Sequence, residues 1–300
     1  MAPHGRSRML DTSVTLALCS LLIYGLTQVL AKAVVGSMSP SSMVAVNFLV
    51  SIPVFVVFLV GTLLFVDRSV LKPEYILYAL IGATTARGGY YIYLTALEKG
   101  SVTMVGSITA AYPAITATLA VLVIGEDLEP INGIGIVVII ASMVALSYVH
   151  GSHTGRGGFS RMALVLSLTT FLLWGFGGIF IKLALMHIPL IAYLSVYPFI
   201  LPPLAFAYLK YKKATRAEIL PKWSVPVMAA AAVALLWQLA YFAETGALSV
   251  GAASIVFPLI SAYPIVTIIG ARAFLHEKLS RLDWALLGAV IVGIVLTSVA

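Results

Sequence analysis

Long apolar runs separated by short polar segments cover the whole chain. Most runs hold about 19–25 residues, and a helix of that length, rising about 1.5 Å per residue, crosses the roughly 30 Å hydrocarbon layer of a bilayer. Strands of a membrane barrel would be about ten residues long and would alternate apolar with polar positions, which these runs do not. The pattern therefore predicts an all-α membrane protein with ten transmembrane helices. They are expected at residues 14–35, 43–65, 75–97, 101–124, 131–149, 162–185, 191–209, 225–247, 251–275 and 283–300.

The composition excludes most soluble classes of protein. Hydrophobic residues make up 61% of the 300 residues, and only 18 basic and 11 acidic side chains are present. A soluble domain is about 45–50% apolar and needs more charge than this to cover its surface. The net charge of +7 does not indicate a nucleic-acid partner, because the basic residues lie in short loops between apolar runs. The lipid bilayer is the expected surrounding.

The two halves of the chain share motifs at nearly constant spacing, which predicts a duplication. The motifs recur after 151 residues, or after 150 residues for the last pair. The pairs are Tyr112-Pro113-x-x-Thr116 with Tyr263-Pro264-x-x-Thr267, Glu126-x-Leu128 with Glu277-x-Leu279, and Tyr24-Gly25 plus Lys32 with Trp174-Gly175 plus Lys182.

Each copy holds five predicted spans. An odd number of spans makes the second copy enter the membrane from the opposite side, as in many secondary transporters. The expected organisation is two inverted five-helix repeats, over residues 1–149 and 162–300, joined by a Gly-, Ser- and His-rich linker loop over 150–161.

The end of each half carries a family signature. Residues 107–128 and 258–279 both contain Tyr-Pro within a predicted helix and end in Glu-x-Leu, and a Gly-rich predicted helix follows each of them. This doubled pattern resembles the EamA domain of the drug/metabolite transporter superfamily. The resemblance implies export or exchange of a small-molecule substrate, often an amino acid, through a central cavity in the cell (plasma) membrane. It also implies no ATP site and no fixed cofactor, and it leaves open whether the protein is a monomer or a homodimer.

The orientation in the membrane is ambiguous from the sequence. With the N-terminus in the cytoplasm, as in the family, four Lys and Arg lie in inner loops and ten in outer loops. The positive-inside rule prefers the reverse, whereas Arg6 and Arg8 before the first span favour a cytoplasmic N-terminus.

Two charged residues within predicted spans are the main candidates for substrate chemistry. Arg87 lies near the middle of the third span, where a charge is costly unless it is paired or faces water. It is expected either to bind an anionic group of a substrate, such as a carboxylate, or to form an ion pair with Glu244 of the eighth span. Glu244, three residues before the end of its predicted span, is expected either to couple transport to protons or to be paired near the interface.

Prolines and aromatic residues in the spans complete the predicted site. Pro113, Pro258 and Pro264 are expected to kink cavity-lining helices that flex during transport, unless they are simply the prolines common in membrane helices. Aromatic and small polar side chains are expected either to form a cavity wall or to be packing and interface residues. These candidates are Tyr24, Tyr91, Tyr112, Trp174, Tyr263, Gln238 and Ser261.

Polar residues near the ends of spans favour structural roles. Glu126 and its equivalent Glu277 are expected to form turns or caps rather than a catalytic pair. Lys32 and Lys182 are expected to extend to the lipid head groups, with a gating or substrate role as the alternative.

The sequence thus predicts a secondary transporter of a small polar metabolite, an amino acid or a related carboxylate. A lipid-modifying membrane enzyme is one alternative, but it would need a cluster of His, Asp or Glu that the chain lacks. A non-transporting scaffold is the other, and it would not require Arg87 at mid-depth.

Overall fold

The structure, a computed structural model, describes residues 3–35, 37–99, 105, 108–109, 111–152, 161–275 and 280–298. Every regular element in these ranges is helical. The α-helices are α1 (Pro3–Val35), α2 (Pro40–Phe65), α3 (Pro73–Lys99), α4 (Tyr112–Leu119), α5 (Pro130–Ser152), α6 (Arg161–Leu185), α7 (Leu190–Leu194), α8 (Tyr197–Tyr211), α9 (Arg216–Ile219), α10 (Val225–Val250), α11 (Ala253–Ser261), α12 (Pro264–Leu275) and α13 (Arg281–Ser298).

The apolar character predicted from the sequence is found on the helices. Seven helical segments of the described chain are long and apolar enough to cross a membrane, and two shorter apolar helices cover Tyr112–Ile124 and Pro130–Ala145. Large apolar side chains such as Val57, Leu64 and Phe65 point outward from the bundle, as expected for helices that face lipid. The prediction of an all-helical membrane protein is therefore confirmed.

Prolines set the start of several helices. Pro40, Pro73, Pro130 and Pro264 are each the first residue of a helix. Proline is well tolerated there, because its fixed φ suits the helix and its missing N–H would have had no partner in the first turn. Before Pro40, the Ser39 hydroxyl accepts a hydrogen bond from the Ser42 N–H (3.2 Å) and caps α2.

Three helix pairs have the most extensive contacts between described elements: α1 with α10, α3 with α6, and α5 with α13. Glycines permit these close approaches. A side chain at Gly82 of α3 would come within 2.9 Å of the Ile181 backbone nitrogen of α6. A side chain at Gly293 of α13 would similarly meet the Gly135 carbonyl of α5 at 3.0 Å.

The second Tyr-Pro motif separates two helices instead of kinking one. α11 ends at Ser261, and α12 begins at Pro264 after a turn formed by Ala262 and Tyr263. The Ile260 carbonyl, which Pro264 cannot bond, accepts a hydrogen bond from the Tyr263 N–H (3.0 Å). Pro113 likewise lies at the beginning of α4, so the expected kink within a helix applies only to Pro258, inside α11.

Two equivalent contacts join the halves of the chain. The Thr116 hydroxyl of α4 donates a hydrogen bond to the Gly175 carbonyl of α6 (2.9 Å). The Thr267 hydroxyl of α12 donates one to the Gly25 carbonyl of α1 (3.2 Å). Each hydroxyl from one half thus bonds a glycine carbonyl in the first helix of the other half.

Candidate functional site

A cavity of about 380 Å³ lies inside the bundle, and we call it the central cavity. Its volume is within the range of small-molecule sites. It is lined by the C-terminal halves of α1 and α3, the N-terminal half of α2 and the middle of α10 from Ala230 to Glu244, together with residues of α4, α6, α8, α11 and α12. The cavity therefore extends from mid-depth toward the end of the bundle where α1 and α3 finish.

The helices α3 and α10 contribute matching positions to the cavity wall. Four pairs of lining residues are separated by the same 151 residues that relate the two halves. These pairs are Ala86 and Trp237, Arg87 and Gln238, Tyr90 and Tyr241, and Tyr93 and Glu244. Arg87 and Glu244 each have a neutral equivalent, so the charges break the similarity between the two walls.

Arg87 lines the cavity and is held by neutral groups. Its guanidinium donates a hydrogen bond to the Asn47 side-chain oxygen (3.1 Å) and lies 5.9 Å from the centre of the Tyr197 ring. Within the described chain, Arg87 and Glu244 form no ion pair, so the structural pairing expected from the sequence is wrong in this conformation. The cationic group therefore remains able to bind an anion in the cavity.

Glu244 lies on the α10 wall and is 8% exposed. Its carboxylate accepts a hydrogen bond from the Tyr24 hydroxyl of α1 (2.8 Å). Since α10 continues to Val250, Glu244 lies six residues before the end of its helix, deeper than the sequence indicated. Its partner is thus a neutral hydroxyl at the cavity wall.

The predicted aromatic residues meet across the two halves in equivalent pairs. Tyr24 of α1 contacts Tyr263 beside α12, with ring centres 6.0 Å apart. The matching Trp174 of α6 contacts Tyr112 of α4 at 5.7 Å. All four residues line the central cavity, as expected. Trp237, which packs on Tyr24 at 4.6 Å, adds a further aromatic wall.

Tyr91 does not line the central cavity and instead has the packing role that the sequence left as the alternative. It is 4% exposed and lies outside the cavity, packed against Tyr208 and Val44. At about 100° per residue, Tyr91 lies some 40° beyond Arg87, on the side away from the cavity-facing positions. The neighbouring Tyr90 and Tyr93 line the cavity instead.

The remaining predicted site residues divide between the cavity and the surrounding packing. Gln238, Ser261 and Pro264 line the cavity. The Gln238 amide donates a hydrogen bond to the Ser51 hydroxyl of α2 (2.5 Å). Pro113 and Pro258 do not line the cavity, because they lie on the buried sides of α4 and α11.

A cluster of three tyrosines beside the cavity was missed by the sequence analysis. The Tyr197 hydroxyl of α8 bonds the Tyr241 hydroxyl of α10 (2.5 Å), and Tyr193 of α7 bonds the same hydroxyl (2.6 Å). Tyr197 and Tyr241 line the cavity, whereas Tyr193 is fully buried. Tyr241 and Glu244 lie three residues apart and therefore share one face of α10, and this spacing could have identified Tyr241 from the sequence.

At the end of the bundle opposite the cavity opening, Glu126 joins the segment after α4 to the start of α11. Its carboxylate accepts hydrogen bonds from the N–H groups of Ala253 (2.8 Å) and Ser254 (2.9 Å) and from the Ser254 hydroxyl (2.7 Å). A carboxylate at a helix N-terminus also interacts favourably with the helix dipole. Glu126 therefore caps α11, which confirms the expected capping role; its equivalent Glu277 lies outside the described residues.

Lys182 contacts the same region from α6, where α10 ends and α11 begins. Its ammonium group donates hydrogen bonds to the carbonyls of Leu248 (2.9 Å) and Gly251 (2.6 Å), at the end of α10. The lysine thus serves as a C-terminal cap, a role the sequence did not predict. The side chain of the equivalent Lys32 lies outside the described residues.

We expect Glu126→Ala to lower the free energy of unfolding by about 1–3 kcal/mol, because three donors at the start of α11 lose their acceptor. The apparent melting temperature of the detergent-purified protein measures the change. The neighbouring, exposed Asp127→Ala is the matched control and should alter stability by less than about 0.5 kcal/mol. Equal effects of the two variants would contradict the capping role.

Apolar outer faces around a cavity lined by aromatic, polar and charged groups define a multi-pass membrane protein with an internal cavity. The chain belongs to the EamA-like transporter family, whose family model matches residues 11–148 and 161–299. The protein is thus a membrane transporter of the drug/metabolite transporter superfamily.

Two further comparisons describe the repeat and the fold. An uncharacterized protein from Methanocaldococcus jannaschii is 30% identical over 139 residues, which are 46% of this chain and 98% of that protein. A crystal structure of a protein superposes with a TM-score of 0.73 at 16% identity, covering 95% of this chain and 97% of its own. This second likeness concerns the fold alone.

Proposed function

We propose that the protein is a secondary transporter that exports or exchanges a small polar metabolite, an amino acid or a related carboxylate, through the central cavity. The observation that carries the proposal is the presence of Arg87 and Glu244 on different walls of one cavity without an ion pair between them. A structural arginine at this depth would be expected to be neutralised by a neighbouring acid. An unpaired guanidinium facing a cavity suits a substrate carboxylate, which it can bind through two hydrogen bonds.

The cavity walls support a substrate with both polar and apolar parts. Tyr24, Trp174 and Trp237 supply flat apolar surfaces near the charged groups. Gln238 and Tyr90 add neutral hydrogen-bonding groups. Such a combination fits a small metabolite whose charged end is bound by Arg87 while its remaining atoms contact the rings.

We further propose that ten transmembrane helices form two inverted five-helix repeats that provide alternating access. On this numbering α1 is the first helix, α3 the third, α6 the sixth and α10 the eighth. The pairing of α1 with α10 becomes the pairing of α6 with α3 when each helix is replaced by its equivalent in the other half. A relative with about half the length of this chain also supports a five-helix unit.

The directions of the paired helices support the inversion. Ser20 of α1 bonds the Ala240 carbonyl, whereas Tyr24, further along α1, contacts Trp237, earlier in α10. The two helices therefore run antiparallel. The same holds for α3 and α6, where Gly82 approaches Ile181 and the Ala86 carbonyl accepts a hydrogen bond from Trp174 (3.1 Å). If successive spans alternate in direction, the first and eighth helices run antiparallel, and so do the third and sixth. Repeats that pointed the same way would make these pairs parallel.

Alternating access requires the end of the bundle opposite the cavity opening to come apart in another state. The cap formed by Glu126 joins the first half to α11 of the second half at that end. We propose that the protein works in this way in the plasma membrane, driven by the substrate gradient or by protons.

Counterflow of radiolabelled amino acids into proteoliposomes tests the proposed function. Vesicles preloaded with an unlabelled amino acid are expected to take up the labelled form transiently above its equilibrium level. Vesicles without protein provide the background. The absence of counterflow for every amino acid and small carboxylate in a broad panel would contradict the proposed substrate class.

A further inference from the structure

The Glu244 carboxylate has an unusual position for a charged group. It is buried at the cavity wall, and its hydrogen-bond donor is the neutral hydroxyl of Tyr24. Within the described ranges it forms no ion pair with any Lys, Arg or His. Burial of a carboxylate without a cation is costly, so its charge must be balanced by something that enters the cavity.

The groups that face Glu244 from neighbouring helices are almost all neutral phenols. They come from α1, α4, α7, α8 and α10 itself. These are Tyr24, Tyr112, Tyr193, Tyr197 and Tyr241. The cation of the cavity, Arg87, is bonded to Asn47 of α2. No fixed cation therefore contacts this carboxylate from the described elements packed around it.

The fold itself does not require an acid at this position. The equivalent residue on the α3 wall is Tyr93, which also lines the cavity and contacts Trp174 (5.6 Å), the equivalent of Tyr24. A neutral side chain thus occupies the matching site in the other half. The carboxyl group of Glu244 therefore has a role other than packing.

We infer that Glu244 is the proton-binding site through which the carrier couples substrate movement to a proton gradient. This inference rests on the proposed function. Cavity water delivers a proton from the side to which the cavity is open, and the carboxylate becomes a neutral carboxylic acid. After the cavity changes access, the proton leaves to the other side and the carboxylate is restored.

Tyr24 connects this proton site to the motion of the protein. Its hydroxyl donates to Glu244 and so joins α1 of the first half to α10 of the second half. A charged acceptor makes this hydrogen bond stronger than a neutral one does. Binding a proton therefore weakens a bond between the halves, which lets proton occupancy bias the two states of the carrier.

Infrared difference spectroscopy tests proton binding directly, with the proton as the probe. Purified wild-type protein is expected to show a carboxyl C=O band that changes with pH and is lost in Glu244→Gln. Glu218→Gln is the control, because Glu218 lies in α9, away from the central cavity, and a hydrogen bond from the Thr215 N–H holds the pKa of Glu218 below its usual value. If the band is absent from wild type, or persists in Glu244→Gln, the inference is wrong.

Transport measurements separate this inference from the proposed function. A difference of one pH unit across the vesicle membrane drives about tenfold accumulation when one proton moves per substrate. In Glu244→Gln the ratio of accumulation with the pH difference to accumulation at equal pH should fall from about ten to about one, whereas in Glu218→Gln it should stay at about ten. A ratio that stays at about ten in Glu244→Gln would overturn proton coupling. If wild type shows no exchange at all, the proposed function fails, and the infrared band alone decides whether Glu244 binds a proton.

Discussion

Arg87→Gln is expected to reduce transport by about 10- to 100-fold while the protein still inserts and folds. A charge-assisted hydrogen bond contributes about 1.5–3 kcal/mol, and a neutral amide cannot replace the guanidinium toward a carboxylate. The protein should still fold, because Asn47 can bond an amide and no buried acid loses its partner. Counterflow in proteoliposomes measures the loss, and size-exclusion profiles measure the folding.

Two companion variants make this test specific. Arg87→Lys keeps the positive charge but not the planar pair of donors, so its transport should lie between that of wild type and Arg87→Gln. Arg68→Gln removes an exposed arginine between α2 and α3 and should leave transport unchanged. Wild-type rates in Arg87→Gln would remove this residue from the substrate site.

Gly25→Val is expected to destabilise the protein by at least about 1–3 kcal/mol, the usual range for overpacking a tightly packed site. A side chain at Gly25 would meet Val266 and would lie 2.8 Å from the Tyr263 carbonyl oxygen. Both obstacles are rigid, since one is a β-branched side chain and the other is backbone. The bond from Thr267 to the Gly25 carbonyl would be displaced as well. A lower melting temperature and a lower yield of purified protein measure this effect.

Gly288→Val is the matched control for this prediction. Gly288 lies in α13, and a side chain there would meet nothing within 4 Å. Any side chain also raises helix propensity relative to glycine, so this variant should be neutral or slightly stabilising. Equal losses of stability in Gly25→Val and Gly288→Val would mean that the α1–α12 contact tolerates a larger residue.

The apolar pattern and the repeated motifs were sufficient to predict the helices and most of the cavity. Tyr24, Trp174, Tyr112 and Tyr263 were identified because they recur at matching positions, and they meet in matching pairs. Such motifs identify contacts between halves without any knowledge of the packing. The depth of Arg87 in an apolar run was likewise sufficient to predict that it faces the interior.

The choice of neighbours could not be predicted, because it depends on helix rotation and on contacts distant in sequence. Tyr90, Tyr91 and Tyr93 are equivalent by composition, and only the rotation of α3 directs Tyr91 away from the cavity. Arg87 has Asn47 as its partner, 40 residues earlier, where an acid was expected. The extra residue in the π-helical turn over Ala120–Ile124, which alters the rotation of later positions, also has no clear sequence signal.

The reciprocal threonine–glycine bonds make each repeat dependent on the other. The carbonyl of Gly25 accepts a hydrogen bond from a hydroxyl of the second repeat, and that of Gly175 accepts one from a hydroxyl of the first. A chain severed between its repeats would yield two fragments, each lacking the hydroxyl that bonds its glycine carbonyl. Produced in the same cell, the fragments would complement each other and rebuild one carrier from separate polypeptides.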